Sequence, residues 1–223
     1  MIKVVTFLKR KAGMPVEAFQ AYWRERHPEV VTRLPGVRRY VQSHTLASAY
    51  GADEPAYDGI AEVWADGTDA LRAMTRSPEY ARVQADEAEF IDRATMGFVV
   101  TDEHVVKDGP VPADAIKRVT FITRRAGLSV DEFQRYWRQI HGPLAAGIPS
   151  LRRYVQSHTR RAAYEGGRTP AWDGMASAWF DSTDAIADLT ATQRYAASLA
   201  DRANFVAPDP TRAIVTREHV IVR

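Results

Sequence analysis

Apolar and polar residues alternate through IKVVTFLK (2–9), where β-branched side chains are frequent, and Ala12-Gly13 follows. The pattern predicts a β-strand and a break. The period then changes: Val16, Phe19, Trp23 and His27 recur three or four residues apart, with Pro15 in the first turn and Glu17 just behind it, as an amphipathic helix requires. VRRYVQSH (37–44) predicts a second strand, closed off by a loop containing Gly, Pro and Asp, and DGIAEVWAD (58–66) a third. Thr68 to about Arg93 has helical character with a break near Pro78, and MGFVVTDEHVV (96–106) predicts the last strand. The order β-α-β-β-α-β describes a ferredoxin-like unit of ~100 residues.

The same pattern then occurs a second time. Lys3–Tyr50 align with Lys117–Tyr164 without a gap, pairing KVVTFLKRKAG with KRVTFITRRAG and FQAYWRERH with FQRYWRQIH. One inserted residue precedes the next match, of YDGIAEVWADGTDAL with WDGMASAWFDSTDAI; Tyr80 then pairs with Tyr195, Phe90 with Phe205, and TDEHVV with TREHVI. In the second copy Ser129 and Asp131 stand where Pro15 and Glu17 open the first helix. The chain is a tandem duplication, with copies over 1–106 and 116–223 and an exposed linker, KDGPVPADA, over 107–115. An open four-stranded sheet with helices on one face leaves its other face bare. The expected fold is therefore α+β: two tandem ferredoxin-like βαββαβ units packed sheet to sheet as an intramolecular α+β barrel, a pseudo-dimer in one chain.

Composition narrows the partners. Of 223 residues, 45% are hydrophobic and 26% charged, which suits a soluble globular chain. The 30 basic and 28 acidic residues are interspersed, leaving a net charge of +2, so nucleic acid is not an expected partner. With no cysteine there is no disulfide framework and no thiolate ligand or nucleophile, and a reducing cytoplasm fits. No apolar run is long enough for a signal-peptide core or a membrane span, so the expected location is cytoplasmic, away from the membrane. There is no G-x-G-x-x-G after a strand, no P-loop and no G-x-S-x-G elbow. What remains is acid/base chemistry on a small molecule without a bound cofactor.

All six histidines fall into repeat pairs: His27 with His141, His44 with His158, and His104 with His219. RRYVQSHT is identical at 38–45 and 152–159, whereas PEVVTRL after His27 shares little with GPLAAGI after His141. Alternation places Arg38, Tyr40, Gln42 and His44 on one strand face, which either meets water or lines a polar cavity. For His27 and His141, four residues after Trp23 and Trp137, two readings are open. Each is a general acid/base at the mouth of an apolar pocket, or a helix-terminal residue favoured by the dipole and the following Pro. His44 and His158 read as pocket residues or strand ends, and His104 and His219 as surface or interface. No metal is expected, because the histidines come from separated elements and lack short-range ligand spacing. Phe7, Phe121, Tyr22, Tyr136, Trp23, Trp137, Trp64 and Trp179 are candidate walls for a flat or cyclic ligand, set against an ordinary core role. Asp66–Asp69 and Asp181–Asp184 read as strand-to-helix turns with an N-cap, and Arg38-Arg39 and Arg152-Arg153 as exposed sheet-edge charge or a carboxylate clamp.

The runs FQAYWRERHP, LPGVRRY and a last strand ending EHVV resemble the EthD family of the dimeric α+β barrel superfamily, with YWRQIHGPL and REHVI the closer match. His27-Pro28-Glu29 departs from the His-Gly-Pro pattern that His141-Gly142-Pro143 keeps. In that family single units pair as dimers, so the resemblance implies a dimer fused into one polypeptide, with further homodimerisation open. It also implies small proteins tied to xenobiotic breakdown, with relatives that are dehydratases of aromatic polyketides. The wider superfamily includes isomerases, cyclases, cofactorless monooxygenases and haem enzymes. The expectation is a cofactor-independent lyase or isomerase acting on a cyclic or aromatic metabolite. The resemblance favours the catalytic reading of His27 and His141, with Tyr40, His44, Tyr154 and His158 polarising an oxygen. The alternatives are a non-catalytic barrel that binds a small molecule, and a haem-binding or cofactorless monooxygenase.

Overall fold

A computed structural model describes residues 1–51, 53–208 and 212–223. The predicted order of elements holds in both copies. The first contains β1 (Ile2–Leu8), α1 (Val16–Glu25), α2 (Pro28–Val31), β2 (Arg39–Thr45), β3 (Gly59–Ala65), α3 (Thr68–Thr75), α4 (Pro78–Phe90) and β4 (Gly97–Lys107). The second contains β5 (Ile116–Ile122), α5 (Val130–Tyr136), α6 (Gly142–Ala146), β6 (Arg153–Thr159), β7 (Gly174–Phe180), α7 (Thr183–Ala187), α8 (Gln193–Asp201) and β8 (Arg212–Val222). The eight strands follow one another in the order β1-β3-β2-β8-β5-β7-β6-β4 and close into an antiparallel barrel. Two ferredoxin-like units thus make one α+β barrel. Among the described residues no helix is long and apolar enough to cross a membrane.

Repeat and compact unit are different divisions of this chain. The first unit holds Met1–Val100 with Glu218–Arg223, and the second holds Thr101–Arg217. Each unit therefore takes the end of a strand that starts in the other repeat. In the second unit Thr101–Lys107 of β4 pair with β6, opposite Thr159–Tyr154.

Within the first unit β3 lies between β1 and β2, with Lys3 opposite Trp64 and Arg39 opposite the same Trp64. Apolar residues of α1 and α4 close over this sheet: Phe19, Trp23 and Phe90 are fully buried with Leu8 and Ile91. Phe133, Trp137 and Phe205 repeat the arrangement over Ile122 in the second unit. The helix starts differ between copies. Ser129 forms a capping box with Glu132, whereas Pro15 supplies no side-chain cap, and Ser182 caps α7 while Gly67 at the matching position has no side chain to do so. Gly59 and Gly174 permit a close approach: a Cβ on either would lie 2.5 Å from the indole of Trp23 or Trp137. Only a residue without a side chain lets the strand pass under the indole.

Candidate active site

The turn that carries His27 is wider than an α-helical one. The His27 amide donates five residues back to the Tyr22 carbonyl at 3.2 Å, and in the second unit Trp137–His141 form one π-helical turn. Such insertions re-aim a side chain within a helix and recur at functional sites. Pro28, or Gly142-Pro143, then opens the next short helix.

Each histidine is held by an acid that lies far off in the chain. His27 Nδ1 is 2.6 Å from Asp86 Oδ2, and His141 Nδ1 is 2.9 Å from Asp201 Oδ2. The Tyr22 hydroxyl donates to Asp86 at 2.9 Å and that of Tyr136 to Asp201 at 2.7 Å. Burial opposes ionisation of both carboxyls, but these hydrogen bonds outweigh it and hold them below the usual range. Burial also lowers the His141 pKa, and Asp201 opposes that shift without cancelling it. An ionised Asp on Nδ1 fixes the tautomer in which Nδ1 carries the proton, so Nε2 is the basic nitrogen.

Both histidines reach a cavity between the helices and the sheet. In the first unit it has a volume of about 160 Å³, with His27, Trp23 and Tyr40 set among aliphatic side chains that include Val4, Leu34 and Val83. Its counterpart in the second unit is about 80 Å³, lined by His141 and Tyr154 together with Arg118 and Arg202. The Tyr40 hydroxyl accepts from Trp23 Nε1 at 3.3 Å and from Gln42 Nε2 at 2.9 Å, and the Tyr154 hydroxyl accepts from Trp137 Nε1 at 3.2 Å. Burial raises both phenols, so they stay protonated and can donate.

RRYVQSHT is buried on both strand faces beyond its arginines, which neither simple reading of its alternation anticipates. Tyr40 meets the cavity. Gln42 Nε2 donates to the Trp23 carbonyl at 2.7 Å and Gln42 Oε1 accepts from His44 Nε2 at 3.0 Å, and Gln156 and His158 repeat this at 2.9 and 3.0 Å. His44 stacks on Trp23 with ring centroids 4.2 Å apart and His158 on Trp137 at 4.4 Å. An edge contact of 4.6 Å joins His44 to His219 and His158 to His104. Burial drives His44 and His158 down to about 3, with the neighbouring His as the next cause. They are neutral near pH 7 and do not line these cavities.

Two sequence segments match the EthD domain, residues 11–94 and 125–209, which together cover most of the chain. The protein belongs to the EthD family. No curated protein matches this EthD chain. Among solved structures, an anthrone oxidase-like protein is 12% identical with a TM-score of 0.68, covering 100% of this chain and 94% of its own. A supposed monooxygenase from Fusobacterium nucleatum is 9% identical with a TM-score of 0.61, covering 98% and 93%. A mutant chlorite dismutase from Candidatus Nitrospira defluvii is 10% identical with a TM-score of 0.53, covering 96% and 90%. At these identities the likeness is one of fold.

Of the aromatic walls expected for an EthD ligand, only Trp23 lines either cavity. Phe7, Phe121, Tyr22, Tyr136, Trp64, Trp137 and Trp179 do not. Phe7 and Trp64 belong to the strand positions that alternate away from Val4, Thr6 and Val63, while Tyr22 and Tyr136 are spent on Asp86 and Asp201. Arg38 and Arg152 pair with Asp66 and Asp181 at the exposed surface. Local spacing does not reveal the two aspartates, because each lies about 60 residues from its histidine. The repeat itself carried the signal, since Asp86 and Asp201 keep the register set by Tyr80 with Tyr195 and Phe90 with Phe205.

Proposed function

We propose that this EthD protein is a cofactor-independent lyase or isomerase that moves a proton on a cyclic or aromatic small molecule. The observation that carries the reading is the His–Asp pair at a cavity wall, present in both units. Nε2 of His27 or His141 removes a proton from carbon or a hydroxyl, and the ionised Asp stabilises the imidazolium that forms. Tyr40 or Tyr154, whose oxygen already accepts from an indole N–H, keeps its own proton and donates a hydrogen bond to the oxygen on which charge develops. The imidazolium then returns the proton to a departing hydroxyl in a dehydration, or to another carbon in an isomerisation. Gln42 with His44, and Gln156 with His158, hold the tryptophan and tyrosine in place.

A panel of aromatic acids, lactones and phenols, followed by thermal shift and by mass spectrometry of the recovered ligand, tests this. The Asp86→Asn/Asp201→Asn protein should retain ligand-induced stabilisation and lose turnover by roughly 10²- to 10⁴-fold. Unchanged turnover in that protein and in His27→Ala/His141→Ala would remove the His–Asp pairs from the reaction, and a ligand bound by the wild type but recovered intact would leave a binding barrel. The anthrone oxidase-like neighbour supports a second reading, an oxidation without cofactor that begins with the same deprotonation. Oxygen consumption in step with turnover separates it from the first.

A further inference from the structure

The two cavities occupy equivalent places, so the repeat alignment compares their walls residue by residue. Val4 on β1 corresponds to Arg118 on β5, Val83 to Ser198, and Glu87 to Arg202. His27 with Asp86 and His141 with Asp201 are common to both. The second cavity therefore gains two guanidinium groups and loses a carboxyl. Arg118 and Arg202 are both half-buried. Burial lowers the pKa of Arg202 and the charge of Arg118 lowers it further, so two like charges share one small space. In the first cavity burial raises the pKa of Glu87, with Asp86 adding to that and His27 and Arg93 opposing it, which favours the uncharged acid.

We propose that the cavities sort ligands by charge: the second binds a small carboxylate through Arg118 and Arg202, and the first takes an uncharged ring. The inference rests on reading the cavities as ligand sites. Size points the same way as charge. A dry apolar cavity of about 150 Å³ holds a benzene ring, which the first cavity matches at about 160 Å³. The second, at about 80 Å³, is half that size and favours a short carboxylate over a bulkier ring. A carboxylate carries the opposite charge and offers two acceptor oxygens to the planar donors of the guanidinium groups.

Site-resolved NMR titration with propionate, propionamide and phenol tests the assignment without requiring turnover. Propionate should shift the amides of Ala176 and Ala178 in the second cavity and leave Ala61 and Val63 of the first unmoved. Phenol should do the reverse, and propionamide should bind the second cavity at least 10-fold more weakly than propionate. Arg118→Val/Arg202→Glu, which installs the first cavity's residues, should abolish the propionate shifts, with the milder Arg118→Gln/Arg202→Gln giving a loss of 10-fold or more if the first fails to fold. Val4→Arg/Glu87→Arg should carry propionate binding into the first unit. The inference is overturned if propionate produces no saturable shifts at millimolar concentration, if propionamide or sulfate binds the second cavity as well as propionate, or if the Gln variant binds propionate unchanged. A His27→Ala/His141→Ala protein with full turnover would instead sink the catalytic reading and leave charge sorting intact.

Discussion

The buried network under the helices and the cavity wall beside it have diverged to very different extents between the two copies. Trp23, Tyr40, Gln42 and His44 repeat as Trp137, Tyr154, Gln156 and His158, with corresponding hydrogen bonds within 0.2 Å of each other. A few ångströms away an aliphatic residue faces an arginine and an acid faces a base across the same alignment. The difference reflects what each region must satisfy. Every polar atom of the network is buried, so changing one member strands its partner at a cost of about 1–3 kcal/mol. A wall residue that borders a cavity can change without breaking that network. The network sets the frame, and the wall is where the copies can acquire different ligands.

The strongest way to break this comparison is to remove the centre of the frame. Trp23→Ala or Trp137→Ala deletes a fully buried indole, its stack on His44 or His158, and the donor to a buried tyrosine hydroxyl. Each should cost about 3–5 kcal/mol in urea unfolding. The two losses should agree within about 1 kcal/mol, since additional cavity and partner terms are matched. A large loss in one copy and a small one in the other would show that the two networks are not energetically equivalent.

A smaller effect comes from acid. His44 and His158 have folded pKa values of about 3 against an ordinary 6.5. The unfolded chain thus binds their protons more readily than the folded one. Their contribution to stability is complete above pH 6.5 and is lost as pH falls from there toward 3, at about 1.4 kcal/mol per pH unit for each ring. At pH 5 that is about 2 kcal/mol per histidine. His44→Gln or His158→Gln should therefore flatten the fall in stability between pH 6.5 and 5 relative to wild type, equally for either residue. An unchanged slope would mean that these rings are protonated in the folded protein.

How far the sequence reveals these features depends on how local their cause is. Elements, repeat register and the special standing of Tyr40 and His27 follow from short-range periodicity and from residues retained across the duplication. The role of His44 is less local, because alternation places it beside Tyr40 and Gln42 without telling whether that face meets a cavity or a Trp ring. Phe7 and Trp64 present a similar difficulty: a strand buried on both faces offers no polarity contrast to mark the cavity side. Asp86 and Asp201 needed long-range pairing. The charge swap at Glu87 and Arg202 lies in plain view in the repeat, yet its meaning depends on knowing that both positions border the cavity.

The finest test concerns how each aspartate is supported. Asp86 accepts from His27 and Tyr22, whereas Asp201 accepts from His141, Tyr136 and also Asn204, whose amide reaches both Asp201 and the Tyr136 hydroxyl. Tyr22→Phe leaves Asp86 with one side-chain donor, and Tyr136→Phe leaves Asp201 with two. Loss of a donor to a carboxylate raises its pKa and weakens its hold on the imidazole. Turnover in the first unit should drop about 3- to 10-fold with Tyr22→Phe, read with the second unit silenced by His141→Ala. Tyr136→Phe, with His27→Ala, should cost the second unit less. Adding Asn204→Ala to Tyr136→Phe should then bring the second unit's loss up to that of the first, because its aspartate would be left with the same single donor. If Tyr136→Phe alone is as damaging as Tyr22→Phe, Asn204 does not share the support of Asp201, and the two proton-handling pairs are alike in strength as well as in geometry.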